Sequence, residues 1–272
     1  MKQPMQERLK IIDQVKIRAR PKLNAPNMLA AWPGISNVAM IVATYLARKL
    51  EPKELARIRP NYFFDPVGVM VRSNLVEEPQ FPQSIFYYYK NPFGEDLIIF
   101  LGEAQPNAKS YDLANLIVDV AERYNVQRIY TCAAAITRIH HTEQPRVWGV
   151  CTSAGMFKEL VSHGAFLGGN LQIAGLNGLL LGVAKERSLE GVCLLGEVPG
   201  YTTRLHNPMA ALAVTRTLSE MLKLKINLDE LAAVADEGRE RMKQMAAEAM
   251  EEYIDYFTEP IWESGEDEPE EE

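Results

Sequence analysis

Strand and helix signals alternate along most of the 272 residues. That pattern predicts an α/β fold: a three-layer α/β/α sandwich around a mixed, mostly parallel sheet, followed by C-terminal helices. Two further observations support it. Two apolar runs meet at Asn91-Pro92-Phe93-Gly94, which places an antiparallel hairpin in the sheet. Residues 228–257 repeat apolar side chains at helical spacing, well past the last strand-like run.

Taken in order, Val15-Lys16-Ile17-Arg18-Ala19-Arg20 alternates apolar and basic residues, the period of a strand with one wet face. Asn27-Met28-Leu29-Ala30-Ala31-Trp32 reads as a buried strand that breaks at Pro33-Gly34, with Ser36 or Asn37 placed to cap the next helix. That helix, residues 38–50, carries a core-facing stripe at 38, 41, 42, 45, 46 and 50. Tyr62-Phe63-Phe64-Asp65-Pro66 and the aromatic run from Phe81 read as short strands and loops. Residues 84–90 and 96–101 then form the two arms of the hairpin. Beyond it the pattern predicts a helix over 111–124, strands over 128–132 and 146–151, and helices over 154–163 and 176–186. A strand over 191–195 and a helix over 208–224 follow. The last helix, 228–257, has apolar residues at 228, 231, 235, 242, 245, 249, 253 and 257. No period of roughly 20–50 residues appears, so solenoids and propellers are excluded.

The composition, 47% hydrophobic and 24% charged, is that of a globular chain able to bury a large core without staples. No apolar run approaches the roughly 18–20 residues of a membrane span, and residues 1–20 lack a signal-peptide core. Cys132, Cys151 and Cys193 lie far apart with no CxxC pair, as expected of free thiols in a reducing compartment. The expectation is a soluble cytoplasmic protein with no membrane contact. The formal charge of −7 comes from the end of the chain: residues 263–272 carry seven acids and no base. Removing them leaves 29 acids against 29 bases, so the body is neutral and the tail is expected to be disordered. No basic patch interleaved with aromatics appears, which argues against nucleic acid as a partner.

Catalytic signatures are scarce. The chain lacks a GxxxxGK[ST] loop, a GxGxxG fingerprint and a GxSxG elbow. The adjacent His140-His141 would point to opposite faces of a strand and read as a loop pair, so no metal and no cofactor is expected. Gly175-Leu176-Asn177-Gly178 reads as a tight turn into a helix, or as a cradle of N–H groups at its start. Leu101-Gly102-Glu103 and Leu195-Gly196-Glu197 each end an apolar strand, and prolines follow at 106 and 199. Carboxyl ends of strands gather ligands in open α/β sheets. Glu103, Asn177, Glu197 and Tyr201 are therefore the candidate pocket, its carboxylates able to act as acid and base or to hold a cation. A plainer role for each Gly-Glu is to let the chain turn out of the sheet.

Four segments together resemble the proteasome assembly chaperone family. The first is Trp32-Pro33-Gly34-Ile35-Ser36-Asn37-Val38-Ala39 leading to Tyr45-Leu46-Ala47-Arg48-Lys49-Leu50. The second is Leu101-Gly102-Glu103-Ala104-Gln105-Pro106, and the third runs from Ile173-Ala174-Gly175-Leu176-Asn177-Gly178 to Gly182. The last runs from Leu195-Gly196-Glu197-Val198-Pro199-Gly200-Tyr201 to Pro208 and Ala210-Ala211. The resemblance covers about residues 25–225 in order. It implies a fold similar to purine nucleoside phosphorylase, self-association, and assistance to assembly of proteasome α-subunit rings in eukaryotic and archaeal members. Two features depart from it. The chain ends Glu270-Glu271-Glu272 instead of hydrophobic–Tyr–any, and it lacks the phosphate-binding arginines and glycine-rich loop of a working phosphorylase.

The resulting expectation is a non-enzymatic binding protein with an α/β core over 1–225, a C-terminal helix over 226–262 and an acidic tail over 263–272. It would form a trimer or tetramer, with proteasome α-subunits as partners. Leu231, Ala235, Met242, Met245, Tyr253 and Phe257 would supply the contact stripe. The alternative is a phosphorylase- or hydrolase-like enzyme built around Glu103, Asn177 and Glu197.

Overall fold

Met28, Leu29, Ala30 and Ala31 are all fully buried, which requires cover on both faces of their strand. The computed structural model describes residues 13–66, 68–168 and 170–258. Its first half comprises β1 (Val15–Ile17), β2 (Asn27–Ala31), α1 (Val38–Leu50), β3 (Lys53–Ile58), a small hairpin of β4 (Val71–Arg72) and β5 (Leu75–Val76), β6 (Ser84–Tyr89) and β7 (Leu97–Gly102). Its second half comprises α2 (Ser110–Arg123), β8 (Arg128–Thr137), β9 (Val147–Cys151), α3 (Phe157–Ser162), α4 (Leu176–Glu186), β10 (Glu190–Pro199), α5 (Pro208–Met221) and α6 (Asp229–Thr258).

Eight strands form one mixed sheet in the order β1-β3-β6-β7-β2-β8-β10-β9. The central block β7-β2-β8-β10 is parallel. Antiparallel pairs finish both sides, β6 on β7 and β9 on β10. Side-chain alternation along each strand builds the layers. Leu29, Ile99, Tyr130 and Leu194 pack with α1 and α5 on one face. Met28, Ile98, Phe100 and Ile129 pack with α2 and α4 on the other. The expected three-layer sandwich and the hairpin of β6 and β7 are both present, with Phe86 opposite Phe100. Asp96 fastens that hairpin: Oδ1 accepts from Asn91 N at 3.0 Å and Oδ2 from Asn24 N at 2.8 Å.

Several local expectations need correction. Residues 53–58 form β3, a strand the sequence reading did not assign, paired between β1 and β6. Pro60–Tyr62 is a single 3-10 turn, so residues 62–66 are not a strand. Neither Ser36 nor Asn37 caps α1 by its side chain; both have left-handed backbone, φ 51° and 54°. Ser36 Oγ instead donates to Thr202 O at 3.3 Å, tying the start of α1 to the end of β10. β8 and β10 run on to Thr137 and Pro199, so Glu197 lies inside its strand, opposite Ala135.

The long helix also behaves differently from the expected contact stripe. Leu231, Ala235 and Met242 are buried within their own chain, because α6 folds back on α5 and meets Met209 and Leu212. Met245 remains exposed. The side chains of Tyr253 and Phe257, and all of residues 259–272, lie outside the described residues. Among the described residues no helix is long and apolar enough to cross a membrane.

Candidate functional site

The chain after β2 leads to α1 on one face of the sheet, while the chain after the neighbouring β7 leads to α2 on the other. Adjacent carboxyl ends that diverge in this way open a crevice, the usual ligand position in such sheets. Gln105 spans it: Nε2 donates to Pro33 O at 2.7 Å, and Oε1 accepts from Leu176 N at 2.8 Å, capping α4. The turn before α4 needs its glycines. Gly175 has φ 72°, and a Cβ on Gly178 would lie 2.1 Å from Ile173 O. Trp32 closes over the end of β7, where a Cβ on Gly102 would meet its indole at 2.4 Å. Gln105 was not among the expected site residues; its only signal was its place in the Leu-Gly-Glu-Ala-Gln-Pro segment.

Asn177, on the first turn of α4, is buried, and its Oδ1 has no hydrogen-bond partner. Its Nδ2 would lie 3.7 Å from a Cβ on Gly34. Glu103 is exposed and extends the hairpin ladder, its Oε2 accepting from Gln83 N at 2.8 Å.

Glu197 is buried and held by four hydrogen bonds. Oε1 accepts from Arg146 Nη2 at 2.9 Å and Trp148 Nε1 at 3.0 Å, and Oε2 from Arg146 Nε and N, both at 3.0 Å. Burial pushes its pKa up, but these donors outweigh burial and hold the carboxyl below its ordinary value. Tyr201 is exposed, yet its hydroxyl accepts from His141 N at 3.0 Å and lies 2.9 Å from His141 Nδ1. Burial, with smaller contributions from His140 and Lys243, lowers the His141 pKa. A neutral ring leaves Nδ1 to accept the hydroxyl proton.

The four expected residues thus have four separate sets of partners. β2 and β8 stand between β7 and β10, which separates the strands bearing Glu103 and Glu197 by about 14 Å at roughly 4.8 Å per strand. Carboxylates that share one scissile bond sit roughly 5–10 Å apart. Among the described residues no group of three or more His, Cys, Asp or Glu side chains is placed to hold a metal. At the opposite end of the sheet a cavity of about 450 Å³ contains Arg128, already satisfied by Glu159 at 2.6 Å and Glu190 at 2.8 Å.

Comparison with known proteins adds relatives to this geometry. The chain is similar to PbaB of Pyrococcus furiosus, described as an archaeal proteasome activator. The two are 26% identical with a TM-score of 0.72, over 85% of this chain and 98% of that one. A proteasome-assembly chaperone homologue of Mycobacterium tuberculosis shares the fold at 19% identity and a TM-score of 0.69, over 84% of this chain and 99% of that one. An uncharacterized protein of Methanocaldococcus jannaschii is 28% identical over 230 residues, 82% of this chain and 83% of its own. The PAC2 family model matches residues 28–246, from the central strand β2 well into α6, and the chain belongs to the PAC2 family.

Proposed function

We propose that this chain is a non-enzymatic binding protein that acts on proteasome subunits through protein–protein contacts, as a homo-oligomer, with α-subunits as the partner. One observation carries the reading: the likeness to PbaB, named as an archaeal proteasome activator, extends over 98% of that chain. The state of the strand ends supports it. Trp32 covers Gly102, Gln105 bridges Pro33 and Leu176, and Glu197 is closed by Arg146 and Trp148, so the chain's own side chains fill positions a substrate would need. Strand ends closed in this way fit recognition by surface contact better than by a substrate cleft at that edge.

A second reading, a phosphorylase- or hydrolase-like enzyme around Glu103, Asn177 and Glu197, draws on one feature. Asn177 Oδ1 and Trp32 Nε1 are both buried without partners, near the C-terminal end of β2. The two readings separate in a pull-down with the tagged full chain from lysate of the source organism. Enrichment of proteasome α-subunits over an untagged control is the expected result. No enrichment, together with turnover of a nucleoside or ester that Glu197→Gln abolishes, would favour the enzyme.

A further inference from the structure

A cavity of about 480 Å³ opens between α6 and the turn that joins β10 to α5. The sequence sets its shape. Gly238 sits mid-helix, where glycine is disfavoured, yet a Cβ there would lie 2.7 Å from Pro208 Cγ. Its bare backbone lets α6 rest on the first turn of α5, and the cavity forms beside that crossing. Val234 and Met245 share one stripe of α6 with Gly238 and Arg241, and they leave the floor apolar and open, 49% and 40% exposed. The rim is charged. Arg204 and His206 come from the turn and Arg241 from the helix, all three exposed, while Glu237 brings the opposite charge. Neither arginine makes an ion pair or a side-chain hydrogen bond with another described residue. Arg128, in the cavity at the other end of the sheet, is by contrast already closed by Glu159 and Glu190. An apolar floor between two unneutralised guanidinium groups fits a peptide with a large apolar side chain followed by carboxylates.

The chain carries such a segment outside the described residues. Ile261-Trp262 is followed by Glu263, Glu266, Asp267 and Glu268, with Ser264-Gly265 between the acids. By composition alone it buries too little to order itself. The cavity offers its indole an apolar seat and its acids two guanidinium partners. Reach decides which copy supplies it. Met245, at the near end of the cavity, and Arg241 lie thirteen and seventeen residues before Thr258, the last residue of α6. At roughly 1.5 Å per residue those distances are about 20 and 26 Å along the helix. Trp262 is four residues past Thr258, at most roughly 14 Å of extended chain, so it stops short of the cavity of its own chain.

We propose that residues 261–268 of a second copy of this chain dock in this cavity, with Trp262 on the floor of Val234 and Met245 and the acids against Arg204 and Arg241. Charge complementarity and reach both select that occupant. A peptide of another protein would need the same pattern, whereas a neighbouring copy holds it at the high effective concentration of a tethered segment. Met245 suits the role, since its flexible side chain adapts to the ring it receives. The inference rests on the homo-oligomer reading above and names one contact of it.

Photo-crosslinking of the full chain tests it. With p-benzoylphenylalanine in place of Trp262, irradiation should give a covalent dimer at twice the mass of one chain. Its crosslinked peptides should join position 262 to Met245 or Val234. Arg204→Glu/Arg241→Glu in the same chain should cut the dimer yield several-fold. Adding Glu263→Lys/Glu266→Lys/Asp267→Lys should restore most of it, a rescue that a misfolded variant cannot give. A crosslink within one chain puts the segment on its own copy and overturns the proposal. So do a dimer crosslinked elsewhere and a charge reversal that changes nothing or is not rescued. Sedimentation of the unmodified chain separates this contact from the reading beneath it. An oligomer with no crosslink at the cavity overturns the docking and leaves self-association standing; a monomer at micromolar concentration overturns both.

Discussion

Replacing Glu197 by Gln removes a charge and almost no volume, so its cost reports the hydrogen bonds at that carboxylate. Each oxygen accepts from two donors, Oε1 from Arg146 and Trp148 and Oε2 from the side chain and backbone of Arg146. Whichever way a Gln amide is turned, its NH₂ confronts two of those donors. Arg146 is half exposed and can turn to water, which discounts its share, but Trp148 Nε1 or Arg146 N is left without an acceptor. At roughly 1.5–3 kcal/mol for a hydrogen bond to a charged group, the net loss should be about 2–3 kcal/mol near pH 7. The folded carboxyl is held below its ordinary value, so its stabilisation is complete above the unfolded value near ~4.3 and is lost as pH falls through the folded one. Gln does not titrate. Urea unfolding of the two chains should therefore differ most at pH 7 and draw together at low pH, starting below about 4.3 and meeting only once the pH has passed the lowered folded value. A melting shift of roughly 5–10 °C should accompany the difference at neutral pH. A loss under about 0.5 kcal/mol, or one equal at both pH values, would refute the claim that four donors converge on a buried carboxylate.

Three other outcomes follow from the packing. Burial pushes the Cys193 thiol up to about 12 and raises Cys132 too, whereas Cys151 is half-buried and less affected. Alkylation at pH 8 read by mass spectrometry should therefore label Cys151 first, and equal labelling of all three would contradict this burial pattern. Gly196→Ala would place a Cβ 2.7 Å from Ala210 O, a backbone atom of α5, and should lower stability by about 1–3 kcal/mol in a denaturant titration. Met242→Ala should cost roughly 2–4 kcal/mol and leave oligomer size unchanged, since Met242 is buried against Met209 of its own chain. Dissociation by Met242→Ala would instead restore this stripe as an interface.

Much of the fold was legible because periodicity and turn chemistry are local. The stripe of α1, the turn between β6 and β7 and the long α6 all follow from residues within a few positions of each other. What the sequence hid had non-local causes. β3 reads Lys53-Glu54-Leu55-Ala56-Arg57-Ile58, and its charges look like a loop until Arg57 and Glu54 are seen paired at 2.7 Å beside β1 and β6. The ends of β8 and β10 were missed because Ala133-Ala134-Ala135 and Gly196 lack bulk, and Gly196 lacks it because α5 lies against it. At the site, Leu-Gly-Glu occurs twice with the same local sense, but strand order sets β7 and β10 apart. Nothing near Glu197 announces Arg146, fifty-one positions away, which turns a candidate catalytic acid into a closed ion pair.

The central claim, recognition of proteasome subunits by surface contact, is tested most directly by native mass spectrometry. The purified full chain and the proteasome α-subunit of the same organism would be mixed at micromolar concentration. The account predicts a complex whose mass contains copies of both chains, with the α-subunit bound to the oligomer of this one. A spectrum holding only the two separate species would contradict it.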